Sequence, residues 1–319
     1  MYTDDVVVMI KMSSITKEDC LARRGTWDAV PQGSYIPGTD LVGTVYSMGK
    51  EAVQCSGLEV GDRVYASVPC GANAKYITLP YDRLMPVPRG TGSMAAIGLL
   101  SSYVPAQQCL EMAKAKTRLP LTGKNVLIIG SDPVALAVLD LSLNEGAIVF
   151  VSGEWRENDD SMLLYSFVTI RRVRLIANVS LHLSHLVANE RHHNYLSRKG
   201  ANCLPVLPSE WLPEHAGTMD VVVDSVCLDN YESTSRALSP GGVLVCSGQS
   251  AVWSHGIFDE FRSSAVQTTL LKLWAKYVPK PKKRTVVYYD REESRKDVVR
   301  TDVSYFALGN LSRMSPVAK

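Results

Sequence analysis

The chain has 319 residues, 46% apolar and 21% charged, the make-up of an ordinary globular protein with room for two domains and their cores. A formal net charge of +2 gives no reason to expect nucleic acid or an anionic membrane as partner. Seven cysteines stand singly with no C-x-x-C pair, which excludes a disulfide framework and points to reduced thiols in a cytoplasmic setting.

In chain order, acidic Asp4 and Asp5 precede the first apolar run, so no signal peptide is expected. The first third is punctuated like a β-rich domain. "DVVVMIKMSS" is a strand, and "YIPGTDLVGTVYSMG" carries Val and Tyr bracketed by Gly38, Gly43 and Gly49. "LEVGDRVYAS" and "AKYITLPYDRLMPVP" continue the pattern, which predicts a small barrel or sandwich. From Met94 to Ala115 the composition turns helical. "KNVLIIG" then reads as a strand covered on both faces, "PVALAVLDLSLNEG" as a helix ended by glycine, and "AIVFVSG" as a second buried strand. Residues 153–189 fit badly and read as an insertion, either a loop peculiar to this lineage or translated non-coding sequence. The longest apolar run lies there, but Arg171, Arg172 and Arg174 break it, so no membrane span is expected. "ERHHNYLSRKGANCLPV" resumes helix, glycine and strand. "MDVVVDS" and "GGVLVCSG" are further strands, with the helix candidate "NYESTSRALS" between them. Strands alternating with helices predict a parallel, doubly wound sheet. The basic run "KYVPKPKKR" is read as a solvated loop before the strand "TVVYY".

The turn after the first buried strand carries the chemistry. A dinucleotide turn wants a glycine to turn, a second to let backbone meet the pyrophosphate, and a small third residue for helix–strand packing. In the turn Gly130, Ser131, Asp132, Pro133, Val134, Ala135, those three places hold Gly130, Asp132 and Ala135. Alanine serves at the third place; aspartate at the second is the departure. Its carboxylate would face an anionic pyrophosphate at a helix N-terminus, yet it also suits a helix N-cap. Two readings therefore stand: a cofactor site, or a capped helix in an empty fold. An NAD site usually places an acid about 20 residues on, at the end of the next strand. Here that strand ends at Ser152, and beyond the insertion come Arg191 and Lys199, which suits a 2′-phosphate. NADPH is expected in preference to NADH.

"PGTDLVGTV", "GDRVYA", "TGKNVLIIGSDPVALAVLDLSLNEGA", "DVVVDSV" and "LSPGGVLVCSG", in this order and spacing, resemble the medium-chain dehydrogenase/reductase superfamily. The closer likeness is to its zinc-free quinone oxidoreductase-like branch, which includes enoyl- and alkenal-reducing members. The resemblance implies an α/β protein: a GroES-like β-barrel domain over 1–120, then a Rossmann domain over 121–255 holding the insertion. Residues 256–319 would lead back to the first domain. The resemblance also implies an opening strand shortened at Met1 and a closing segment cut after Ala318.

The resemblance further implies hydride transfer to a small enone, alkenal or quinone, with a homodimer through the sheet open to it. Zinc-bearing relatives use a Cys, a Gly-His-Glu block and clustered cysteines. Here the first two places hold the stretch from Thr16 to Asp19 and Gly38-Thr39-Asp40, so no zinc is expected. His182, His185, His192 and His193 group in sequence and are read as ordinary surface or loop residues. Thr16 stands where many relatives have a polar residue beside the substrate, and Trp27 where many have tyrosine; both are pocket candidates. The loops carrying Cys227 and Gly248 are expected at the nicotinamide, with Cys227 in a place often held by glycine. The departures at Asp132 and Cys227, the insertion and the shortened ends also fit two rivals. One is an inactive relative acting as a binding or scaffold protein; the other is a defective gene product.

Overall fold

The computed structural model describes residues 3–23, 31, 33–153, 190–227, 229, 231–247 and 284–289. The described residues up to Pro105 belong to one compact unit and those from Ala106 to Tyr289 to another.

The first unit is built on antiparallel strands. β1 (Asp5–Ser13) pairs with β2 (Asp40–Met48) and with β4 (Tyr76–Pro80). β2 pairs with β3 (Arg63–Ser67), and β3 with the short β5 (Met85–Pro86). The order is β4-β1-β2-β3-β5. Two short helices, α1 (Lys17–Arg23) and α2 (Lys50–Cys55), lie between β1 and β3 in sequence. Valine-rich segments prefer this pleated surface, and their alternation sorts side chains to two faces. One face gathers Val6, Val8, Leu41, Val45, Val64 and Ala66; the other gathers Val42, Tyr65 and Met85 with Ala96, Ile97 and Leu100. Those last three belong to α3 (Ser93–Thr117).

The second unit is a six-stranded parallel sheet. Its strands are β6 (Asn125–Ile129), β7 (Ile148–Ser152), β8 (Asn202–Cys203), β9 (Met219–Asp224), β10 (Leu238–Cys246) and β11 (Thr285–Tyr288). The order is β11-β10-β9-β6-β7-β8, every described pair parallel. Helix α4 (Pro133–Asn144) follows β6, α5 (Glu190–Arg198) and α6 (Pro208–His215) flank β8, and α7 (Glu232–Ala237) precedes β10. The expected doubly wound sheet is therefore present. The chain runs outward from β6 through β7 to β8, then returns to β9 on the other side of β6. That reversal sets a crevice at the carboxyl ends of β6 and β9, where ligands bind in open α/β sheets.

Helix α4 shows why this local sequence folds as it does. Asp132 caps its start and Pro133 fills the first turn, where a missing N–H costs nothing. At its end Ala147 N–H donates to Ser142 O and Gly146 N–H to Leu143 O, with Gly146 at φ 79°. This pair of bonds closes the helix in the left-handed turn that glycine accepts. One side chain in α4 is poorly served. Ser142 is 0% exposed and its hydroxyl has no hydrogen-bond partner among the described residues. Ser142→Ala is expected to raise the unfolding free energy by about 1 kcal/mol, through relief of desolvation and better helix propensity. Urea midpoints would check it; a lower midpoint for the variant would mean the hydroxyl holds a partner. Among the described residues no helix is long and apolar enough to cross a membrane.

Candidate functional site

The crevice residues come from two strand ends. Gly130 follows β6 at φ 136°, and its N–H donates to Ser152 O at 2.9 Å, tying the turn to β7. A Cβ on Gly130 would stand 2.1 Å from Ser225 Oγ, so only glycine fits there. A Cβ on Gly153 would stand 2.8 Å from Gly130 O, so the far side of the turn is equally close.

Asp132 occupies the mouth of α4. Its Oδ1 accepts from Val134 N at 2.9 Å and Ala135 N at 3.0 Å. Its Oδ2 accepts from Ser225 Oγ at 2.5 Å, and that same oxygen of Ser225 lies 3.1 Å from Ile129 O. Two amides of the first helical turn thus converge on one anionic oxygen, the arrangement that binds phosphate at helix N-termini. Here the oxygen belongs to the protein. Behind the turn lies Cys109, whose thiol is pushed up by burial and, further, by the Asp132 carboxylate.

A buried acid, Asp224, stands at the end of β9. It is 1% exposed, and its Oδ1 accepts from Val226 N and Cys227 N, both at 2.9 Å. Its Oδ2 accepts from Thr234 Oγ1 at 3.1 Å. Burial pushes its carboxyl up to about 6, while those three donors pull the other way. The loop it organises holds Cys227 at φ 58°, a left-handed conformation in which a non-glycine residue is strained.

Of the other expected cofactor residues, Ser152 adjoins the Gly130 turn through its carbonyl. Ser152 is 2% exposed and its hydroxyl donates to Pro205 O at 2.7 Å. Lys199 is bound to Asp140 of α4 at 2.6 Å. Arg191 lies on α5, its side chain outside the described residues, as are Gly248, Trp27 and nearly all of the expected insertion 153–189.

In the first unit Thr16 opens α1 in a reciprocal cap. Its N–H donates to Asp19 Oδ2 at 2.8 Å, its hydroxyl donates to the same oxygen at 3.1 Å, and Asp19 N–H reaches Thr16 Oγ1 at 3.4 Å. Asp19 Oδ1 accepts from Gly38 N at 2.8 Å, which fastens the "PGTD" turn to α1. Asp40 is 0% exposed and accepts from Tyr65 at 2.9 Å and Ser14 at 3.3 Å. Thr16, Asp19, Gly38, Thr39 and Asp40 are thus joined in one hydrogen-bond network. Among the described residues no group of three or more His, Cys, Asp or Glu is gathered as a metal site.

Sequence reasoning passed over Ser225 and Asp224. The usable signal was "VVVDSV" at the end of a central strand, beside the point where strand order reverses.

Residues 2–114 match the family described as Alcohol dehydrogenase GroES-like domain. The highly reducing polyketide synthase valA of Aspergillus terreus is 33% identical over 150 residues, covering 47% of this chain and 6% of that protein. The quinone oxidoreductase of Mus musculus is 22% identical over 246 residues, covering 76% of this chain and 64% of that one. The chain therefore spans less than two thirds of either relative. Among solved structures, the quinone oxidoreductase of Thermus thermophilus, described together with its complex with NADPH, superposes with a TM-score of 0.60. It is 18% identical, with 98% of this chain and 81% of that one covered.

Proposed function

We propose that this chain, which has the two-unit fold of the medium-chain dehydrogenase/reductase superfamily and resembles its quinone oxidoreductase-like branch, is an oxidoreductase that needs no zinc and transfers hydride from NADPH to an activated alkene or a quinone. One observation carries the proposal: the strand–Gly130–helix turn aims the N–H groups of Val134 and Ala135 at a single anionic oxygen. That donor set fits a diphosphate by its chemistry, with the α4 dipole adding to it.

Bound NADPH supplies the hydride. Val134 and Ala135 would hold its diphosphate. Arg191 and Ser152 are assigned to the 2′-phosphate end, where neither Ser152 nor Gly153 places an acid. The loops of Cys227 and Gly248 are assigned to the nicotinamide, and Thr16 and Trp27 to the acceptor. The Thr16 hydroxyl donates its hydrogen bond to Asp19, so it offers the acceptor an ordered polar surface and is not assigned as a proton source. The acceptor's own carbonyl takes up the arriving charge, and donors near it stabilise that charge. A cytoplasmic setting and a homodimer belong to the same proposal; Cys20, Cys55, Cys109 and Cys246 as free thiols support the first.

Titration with NADPH and NADH under thermal denaturation tests this. NADPH should raise the midpoint more than NADH, since a ligand at about 100 times its Kd stabilises by about 2.7 kcal/mol. No shift with either at millimolar concentration would overturn the proposal. It would leave a second reading, an inactive relative serving as a binding or scaffold protein, which the Asp132 carboxylate on the helix amides favours.

A further inference from the structure

Asp132 does more than cap a helix. A capping carboxylate needs one oxygen on the amides, and Oδ1 alone serves both Val134 and Ala135. The second oxygen is spent across the crevice, on the Ser225 hydroxyl that ends β9. The side chain therefore spans the place where β6 and β9 part, anchored at both ends by named donors. Asp132 is also the residue at the turn's second place, where a dinucleotide needs close approach to backbone.

We propose that Asp132 is a built-in competitor for the diphosphate, held in place by Ser225, so that nucleotide binding is an exchange of one anionic group for another. This rests on the dinucleotide proposal above. For a phosphate oxygen to reach the two amides, Oδ1 must leave them and Oδ2 must leave Ser225 or swing about it. Even displaced, the carboxylate stays close enough to repel a diphosphate. A turn that stands open for about one part in ten to one in a hundred weakens apparent affinity about ten- to a hundredfold. The device acts on the phosphate alone; an uncharged adenosine moiety has no claim on those amides.

The test is calorimetric titration of the whole chain with NADPH, ADP and adenosine, in the natural protein and three variants. Asp132→Gly removes competitor and cap together. Asp132→Asn keeps an oxygen for the amides but removes the charge. Ser225→Ala leaves cap and charge alone and removes only the far anchor. Asp132→Gly is expected to bind NADPH and ADP at least about tenfold tighter than the natural chain. Asp132→Asn and Ser225→Ala should bind both several-fold tighter, and adenosine affinity should not change. Should Asp132→Gly fail to fold, the other two decide. Equal NADPH and ADP affinities across the natural chain and the folded variants would overturn the competitor and leave the dinucleotide proposal standing. Absence of nucleotide binding in every variant would bring down both.

Discussion

Asp224→Ala is expected to lower the unfolding free energy by about 3 kcal/mol, among the larger effects available in this chain. The carboxylate is 1% exposed and answers three donors: the N–H groups of Val226 and Cys227 and the hydroxyl of Thr234. Truncation takes the acceptor from the Val226 and Cys227 N–H groups, leaves the Thr234 hydroxyl only the Tyr231 carbonyl at 3.3 Å, and frees the loop that keeps Cys227 at φ 58°. Asp224→Asn separates geometry from charge, since an amide oxygen still accepts from the two N–H groups. Burial raises the natural carboxyl from 3.8 to about 6, with Asp229 adding and the hydrogen bonds opposing. The folded value lies above the unfolded one, so folding favours the protonated form. Its stabilising contribution is complete below the unfolded value and is lost as pH rises through the folded one. The difference in stability between natural chain and Asp224→Asn should therefore shift against the natural chain by about 3 kcal/mol between about pH 4 and 7. Urea unfolding across that range reads it directly. Parallel profiles would show that Asp224 keeps an ordinary carboxyl in the fold.

Gly130→Ala is the second large effect, expected to cost about 3 kcal/mol or more and to abolish any nucleotide response. Two causes add. The φ of 136° is one that L side chains rarely adopt, and the new Cβ would meet Ser225 Oγ at 2.1 Å. Pairing the change with Ser225→Ala removes the offending oxygen and leaves the backbone strain. The double variant should recover about 1–2 kcal/mol relative to the sum of the singles. Strict additivity in denaturant unfolding would show that the contact with Ser225 plays no part.

Much of this was legible in the sequence because it is local. The apolar run into Gly130, the capping aspartate, the proline after it and Gly146 at the far end each obey a near-neighbour rule, and together they place β6 and α4. Asp132 as a cap was legible too. What stayed hidden was its second partner, since Ser225 lies 93 positions away and only the β9–β6 pairing brings it near. The partner of Lys199 was hidden for the same reason. In the fold Lys199 is paired with Asp140, 59 positions off, a contact that no near-neighbour rule announces. Thr16 was read only as a pocket group, yet a reciprocal cap is also written in "TKED", where its hydroxyl and backbone answer Asp19 three positions on. Helix α6, Pro208–His215, drew no assignment from the sequence; Pro213 interrupts a helical pattern there, although Pro208 sits where a helix accepts it.

The strand order has a kinetic consequence. β6 finds its central neighbour β9 only after the chain has closed a span marked by the Asn125–Asp220 bond, 95 positions apart. Distant pairing of this kind slows folding, because entropy is lost before contacts reward it. Until then Gly130 has no serine opposite, and the edge of β6 that β9 will cover lies bare. The crevice accordingly cannot exist in a newly made molecule until β9 has joined the sheet, and interrupted synthesis before β9 would yield none of it.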